Sequence, residues 1–294
     1  MKVCLSAPSK TYLTGEYAVL AGGPALVLNT TPRFELHASK TGPVEAAGKI
    51  RGIPAGSPAA EWLRQRSPLL EDWSLEFVDP HGRRGGFGAS GAQFILVHAF
   101  TTLLQSSMKP KFVPGDMFND YRVCSASTGS GADVLAQIAG GVASVDMQEL
   151  RAKSQDWPYP EMGFAVVRTG TKIATHLHLQ NLDTGLLNHL IDPAKDAALS
   201  FGKVSAQEFA DNVNTFTAVL RRLNLQNQRT LRLLEPFQRQ PWCLAAKGCG
   251  AWGADTILLL FPKAAEVEAA AFAEEQGMPF AATELSGGLD VKGT

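Results

Sequence analysis

Cysteine is scarce in this chain. Four residues among 294, Cys4, Cys124, Cys243 and Cys249, include no CxxC pair, so neither a disulfide framework nor a zinc knuckle is expected, and free thiols suit a reducing compartment. Long apolar runs are missing too. None could span a bilayer, and Met1-Lys2 leads directly into a strand-like run without the features of a secretory signal, which predicts a soluble, cytoplasmic protein. Charge of one sign is not in excess. The formal net charge is -1, with acids and bases mixed along the chain, so nothing electrostatic points to a nucleic acid or an anionic membrane as partner. A small molecule is the expected one.

Several chemistries are excluded by absent motifs. The chain has no GxxxxGK[ST], no HExxH and no GxSxG, hence no P-loop, no zincin helix and no nucleophile elbow. GxGxxG occurs twice, at Gly86–Gly91 and Gly248–Gly253, but neither opens an N-terminal βαβ unit with an acid suitably placed downstream, which argues against a nicotinamide cofactor. His176 and His178 share one face of a possible strand, with no third metal ligand at motif spacing.

Glycine, by contrast, is concentrated where it can act. Arg84-Gly85-Gly86-Phe87-Gly88-Ala89-Ser90-Gly91-Ala92 runs into the apolar segment Gln93–Leu104, placing small residues at the start of a helix whose free N–H groups and dipole can hold a phosphate. Ser125–Asp133 is a second small-residue loop feeding a helix, with Asp133 in its first turn. Lys247–Asp255 is a third, between two strands. Lys10 falls at the end of a short strand, Val3–Leu5, closed by a turn at Ser6–Lys10 because Pro8 removes a ladder donor.

Strand patterns at Arg33–Ala38, Trp73–Val78, Val142–Val145, Gly163–Arg168, Cys243–Ala246, Thr256–Phe261 and Pro279–Leu285 are interspersed with helical ones at Ala59–Arg66, Thr184–Ile191, Ser205–Leu223, Leu225–Phe237 and Ala264–Glu275. They lack a regular βαβ rhythm, so the expected class is α+β. A polar loop is expected between the helix ending near Leu104 and Ser125. Trp62 and Trp73 read as local core or as cover for a bound base. The prolines of Asp156–Pro160 suggest a boundary between domains 1–157 and 158–294.

Three loops with Lys10 and Asp133 form a set that phosphoryl transfer can use. Backbone amides position phosphates, a lysine neutralises developing charge, a hydroxyl or carboxylate holds magnesium, and an aspartate orients the attacking hydroxyl. Each member also has a plain reading as turn glycine, surface lysine or helix cap.

In order and content the motifs resemble those of the GHMP kinases. Ser6-Ala7-Pro8-Ser9-Lys10 with Gly15-Glu16-Tyr17-Ala18-Val19-Leu20 is similar to APGK…GEYAVL, Gly86-Phe87-Gly88-Ala89-Ser90-Gly91-Ala92 to GLGSSAA, Ser130-Gly131-Ala132-Asp133 to GSGxD, and Ala246–Asp255 to AKxSGAGGGD. Tyr17 and Asp255 lean toward the family's phosphomevalonate kinases. The resemblance implies a ribosomal-protein-S5-like N-terminal domain that binds ATP phosphates and a ferredoxin-like C-terminal domain that completes the acceptor site. It implies ATP and Mg²⁺, with 5-phosphomevalonate as acceptor, or mevalonate or another small-molecule alcohol. A fold relative that binds a metabolite or nucleotide without transferring phosphate is the alternative from another class.

By the same resemblance Lys10 and Asp133 are catalytic, Gly86, Gly88, Ala89, Ser90, Gly91 and Ala92 bind the ATP phosphates, and Ser90 holds the magnesium. Glu16, Tyr17, Ser130, Gly131, Lys247, Gly250 and Asp255 would contact substrate. The chain departs from the family pattern at Ser9, Ala89, Gly91, Trp252 and Ala254. Trp252 matters most, since a positive φ there would be strained and an indole would reshape the acceptor pocket.

Overall fold

The computed structural model describes residues 1–41, 50–82, 84–105, 112–126, 129–170 and 184–293. His176 and His178 lie outside the described residues.

The chain opens with two long antiparallel strands, β1 (Lys2–Thr14) and β2 (Ala25–Lys40), linked through a 3-10 turn at Ala18–Ala21. The turn expected at Ser6–Lys10 is not there. β1 runs straight through Pro8, and the missing donor is absorbed by a register shift between Ala7 and Ser9, a bulge being one of the few places a strand accepts proline. β3 (Ile50–Arg51), α1 (Pro58–Gln65) and β4 (Trp73–Val78) follow. α1 starts where Ser57 caps Ala60 N–H and Pro58 occupies the first turn.

Next come α2 (Ala89–Gln105), α3 (Pro114–Cys124), α4 (Ala132–Ala139), β5 (Val142–Asp146) and β6 (Arg151–Gln155). α3 replaces the expected polar loop. Its signals were Pro114 at the start, Asp116 in the first turn and Arg122 in the last, which suit the helix dipole, while Met117, Phe118 and Tyr121 supply a buried stripe.

β7 (Met162–Arg168) begins a second sheet. It is followed by α5 (Ile191–Ser200), α6 (Ala206–Arg222), α7 (Gln228–Gln238), β8 (Ala245–Cys249), β9 (Thr256–Pro262), α8 (Glu266–Glu275) and β10 (Phe280–Ala282). The last strand, β11 (Asp290–Gly293), returns to the first sheet and pairs with β1.

The first sheet has the order β11-β1-β2-β4-β3, with β5 on the other stretch of β2 and β6 beyond it; the second has the order β10-β7-β9-β8. Its pairs are all antiparallel, and numbered from β7 the order is 4-1-3-2, the ferredoxin-like arrangement. Both faces of this sheet are buried. Phe164, Val166, Leu258 and Leu260 join the main core with α2, whereas Ala165, Val167, Ile257 and Leu259 pack beneath α7 and α8, as period-2 alternation requires.

α2 is buried from Gly91 to Thr101, which anchors the helix, while its first turn at Ala89 and Ser90 reaches the surface. Trp62 and Trp73 belong to this core. Trp62 donates to Thr101 Oγ1 at 2.9 Å and stacks on His98, and Trp73 meets Phe100 edge to face, which spends both rings on packing. The described residues contain no helix long and apolar enough to cross a membrane.

Candidate active site

β1 delivers Lys10 beside the loop that begins α2. The backbone N–H of Lys10 donates to Phe87 O at 2.9 Å. The lysine side chain then lies over Gly88, so close that a Cβ on Gly88 would stand 2.6 Å from Lys10 Cγ, at a φ of +84° that disfavours any other residue. Its ammonium is 4.6 Å from the centre of the Tyr12 ring, a contact set by the two-residue period of the strand.

α4 delivers Asp133 from the opposite side. A Cβ on Gly91 would come within 3.3 Å of Asp133 Oδ2 and 2.6 Å of Gln137 Oε1. Gln137, one turn along α4, is held by donating to Pro8 O at 2.7 Å, so an alanine at position 91 would press on a pinned side chain. The family departure at Gly91 therefore has a local cause. Asp133 Oδ1 accepts from Val134 N–H at 3.1 Å, while Gly131, not an oxygen-bearing side chain, occupies the cap position. Asp133 stands just inside the cap, in the first turn, where its carboxylate also suits the helix dipole as its plain reading has it. Lys10, Gly88, Gly91, Asp133 and Gln137 converge on one small volume at the N-terminus of α2.

Two tyrosines enclose it. Burial, then the nearby Asp133 carboxylate, pushes the Tyr12 and Tyr121 phenols well above their ordinary range, with Ser130 in hydrogen-bonding reach of Tyr12 and Ser90 in reach of Tyr121. Ser130 Oγ also accepts from Ala132 N–H at 3.3 Å. Ser90 and Ala89 form the first turn of α2, followed by the buried Ala92. Tyr12, Tyr121 and Gln137 are site residues that the motifs alone do not reveal. Their signal was spacing, with Tyr12 two positions past Lys10 on a strand and Gln137 four past Asp133 on a helix.

The third loop closes from the second sheet. A Cβ on Gly86 would meet Asp255 and Thr256 at about 3 Å, and the Asp255 carboxylate lies directly over Gly250. Glu16 and Lys247 are placed differently from the residues around Asp133. They form a buried ion pair, with Lys247 Nζ also donating to Cys249 Sγ at 3.4 Å, and both side chains are all but sealed from solvent. Burial raises the Glu16 carboxyl against the pull of Lys247, and Lys247 itself, which burial would lower, is carried upward by Cys249 and Glu16. The lysine thus faces inward.

Trp252 has φ 56° and ψ 25°, the left-handed conformation that its replacement of a glycine made a concern. Hydrogen bonds hold it. Its N–H donates to the Tyr17 hydroxyl at 2.6 Å, its carbonyl accepts from Asn227 N–H at 2.9 Å, and its indole N–H donates to Asn224 O at 2.9 Å. The indole leans on the α6–α7 connection and stays 41% exposed.

Elsewhere, a cavity of about 320 Å³ lies between α6, α7 and β8, lined by Asn214, Thr217, Arg221, Gln238 and Cys243; it touches none of the residues above. Cys4, Glu35 and His37 bring three donor atoms within 4.8 Å of one another, but His37 and Glu35 are already paired at 2.8 Å and half exposed.

No protein-family model matches the sequence, and there is no significant match among curated proteins. Solved structures do match in shape. Phosphomevalonate kinase from Streptococcus pneumoniae, in complex with phosphomevalonate and AMPPNP, is 18% identical, with a TM-score of 0.74 over 96% of this chain and 99% of that one. Galactokinase from Lactococcus lactis, complexed with galactose, is 12% identical, with a TM-score of 0.75 over 98% and 95%. Mevalonate kinase from Methanococcus jannaschii is 12% identical, with a TM-score of 0.70 over 96% and 98%. The two sheets, their connections and the nearly complete mutual coverage give this chain the GHMP kinase fold.

Proposed function

We propose that the protein is an ATP-dependent small-molecule kinase, and that its acceptor is 5-phosphomevalonate. The observation that carries the reading is the convergence of Lys10 and Asp133 on Gly88 and Gly91 at the first turn of α2. A cation and a carboxylate flank a helix N-terminus stripped of side chains, the combination a transferred phosphoryl group needs. The transition state of such a transfer is loose, so positioning and charge matter more than base strength.

In this reading the amides of Gly88–Gly91 hold the nucleotide phosphates, the Ala92 N–H being donated to Gly88 O at 3.1 Å, and the Lys10 ammonium offsets charge on the moving group. Asp133 orients the acceptor hydroxyl and takes up its proton late, with Tyr12 and Tyr121 keeping water from its flank. Magnesium suits the Ser90 hydroxyl, an oxygen donor, since this ion needs few protein ligands when phosphates supply the rest. When bound it would neutralise phosphate charge. Asp255 and Tyr17 would border the acceptor from the second sheet's side.

One observation favours a second acceptor class. A phosphorylated acceptor brings a further dianion, yet Lys247 is already neutralised by Glu16, so an alcohol without a phosphate group, such as mevalonate, is the alternative. Incubation with Mg-ATP and, separately, 5-phosphomevalonate, mevalonate, galactose and homoserine tests both. Turnover of 5-phosphomevalonate alone supports the leading reading, and turnover of none by folded protein that binds ATP leaves a nucleotide-binding protein instead.

A further inference from the structure

We propose that His81 is a positioning residue of the phosphoryl-transfer site, holding the phosphate loop and the Lys10 strand in register from behind. The proposal rests on the kinase reading for its functional meaning, but its geometry is independent of it. His81 is buried and lies outside every motif that the chain shares with the kinases. Its ring stacks on Phe87 at 3.9 Å and 8° between planes. Phe87 precedes Gly88, and its carbonyl accepts from Lys10 N–H.

The other edge of the imidazole is fixed by a directed chain of hydrogen bonds. Arg168 at the end of β7 donates to His81 Nδ1 at 2.6 Å. A guanidinium has no acceptor, so Nδ1 carries no proton and the ring is the neutral Nε2–H tautomer. Nε2 is 2.7 Å from Ser9 Oγ and therefore donates to it, and Ser9 passes its own proton to Pro32 O at 2.6 Å. The chain runs from the second sheet to the first in one direction, and it gives Ser9 a purpose in place of the family's glycine. His81 thus grips the residue before Lys10 on one side and the residue before Gly88 on the other.

The surrounding charges compete. Asp79, which accepts the His81 backbone N–H at 2.8 Å, favours a protonated ring, while burial and Arg168, itself near Arg84, oppose it and prevail. Burial and Arg168 together hold His81 down to about 4. Arg168 also lies 5.1 Å from the Phe87 ring centre, so the three groups form one stack behind the loop.

The test combines AMPPNP binding, steady-state kinetics and nitrogen NMR of the imidazole. The protein alone is expected to show a single tautomer, protonated on Nε2, across neutral pH. His81→Phe keeps the stack and loses both hydrogen bonds, and should weaken Mg-AMPPNP binding and raise the ATP KM by about tenfold or more while the acceptor KM stays within about twofold. Ser9→Ala removes one oxygen and should move the same quantities in the same direction, with the double variant no worse than His81→Phe alone. His81→Gln restores a donor and should recover part of the loss. Should His81→Phe fail to fold, Ser9→Ala and His81→Gln decide.

A proton on Nδ1, or folded variants that bind AMPPNP as wild type does, would overturn the proposal, and so would additive effects in the double variant. Wild-type protein that binds AMPPNP but phosphorylates no acceptor would overturn only the kinase reading. Wild type that binds none overturns both.

Discussion

The molecule holds two sets of lysine and carboxylate that differ in one respect. Lys10 and Asp133 approach the same turn of α2 from opposite sides, separated by glycines. Glu16 and Lys247 touch, and are sealed inside. Held apart, a pair keeps its charges available to a ligand; held together, it spends them on each other and on the desolvation it cannot avoid. The first set is the one to which the proposed function assigns phosphate, and the second is a rivet between the Gly15–Leu20 segment and β8. Sequence alone does not separate them, because each has a lysine and an acid in a Gly-rich motif.

That contrast can be broken by substitution. The largest effect is expected at the separated set, where Asp133→Asn should lower kcat by about 10³-fold or more, equal to about 4 kcal/mol, with AMPPNP affinity nearly unchanged. An active variant would remove Asp133 from its role. At the joined set the loss should appear in stability, whatever happens to activity. Lys247→Met leaves a buried carboxyl without its partner and should cost about 3–5 kcal/mol in denaturant unfolding, and adding Glu16→Gln should return much of it.

A smaller effect follows from pH. Unfolded His81 titrates near 6.5, whereas in the fold it is held to about 4. Between these values the unfolded chain binds a proton that the native one refuses, so its contribution to stability is full above 6.5 and is lost as pH falls toward 4, by about 3 kcal/mol. Melting temperatures of wild type and His81→Gln, measured from pH 7 to 4.5, should converge at the acid end. Smallest is Trp252→Gly. Relief of left-handed strain and loss of the indole contacts nearly cancel, leaving stability within about 1 kcal/mol. A change in acceptor preference without a change in melting would mark Trp252 as a wall of the acceptor pocket.

Much of this was legible beforehand. Trp73–Val78 is the strand the alternation predicted, and α2 and α4 start at the small-residue loops. What periodicity could not give were features fixed by distant partners. β1 continues through Pro8 because β2 pairs on both sides of a bulge. α3 was hidden by its polar face. Of the site, Lys10, Gly88, Gly91 and Asp133 were found by motif, while Gln137 and His81 were not, since each matters through a residue more than seventy positions away.

The pairing of β11 with β1 has a consequence for how the molecule comes into being. Lys10 stands on β1, and among the described residues the outer edge of that strand is paired by Asp290–Gly293, with Arg33 locking the approach by donating to Gly287 O and Gly288 O. Until β11 pairs, that edge stays open to pairing with other chains. Docking of β11 completes that edge, so removal of Asp290–Gly293 should yield aggregates instead of a folded protein of lower activity.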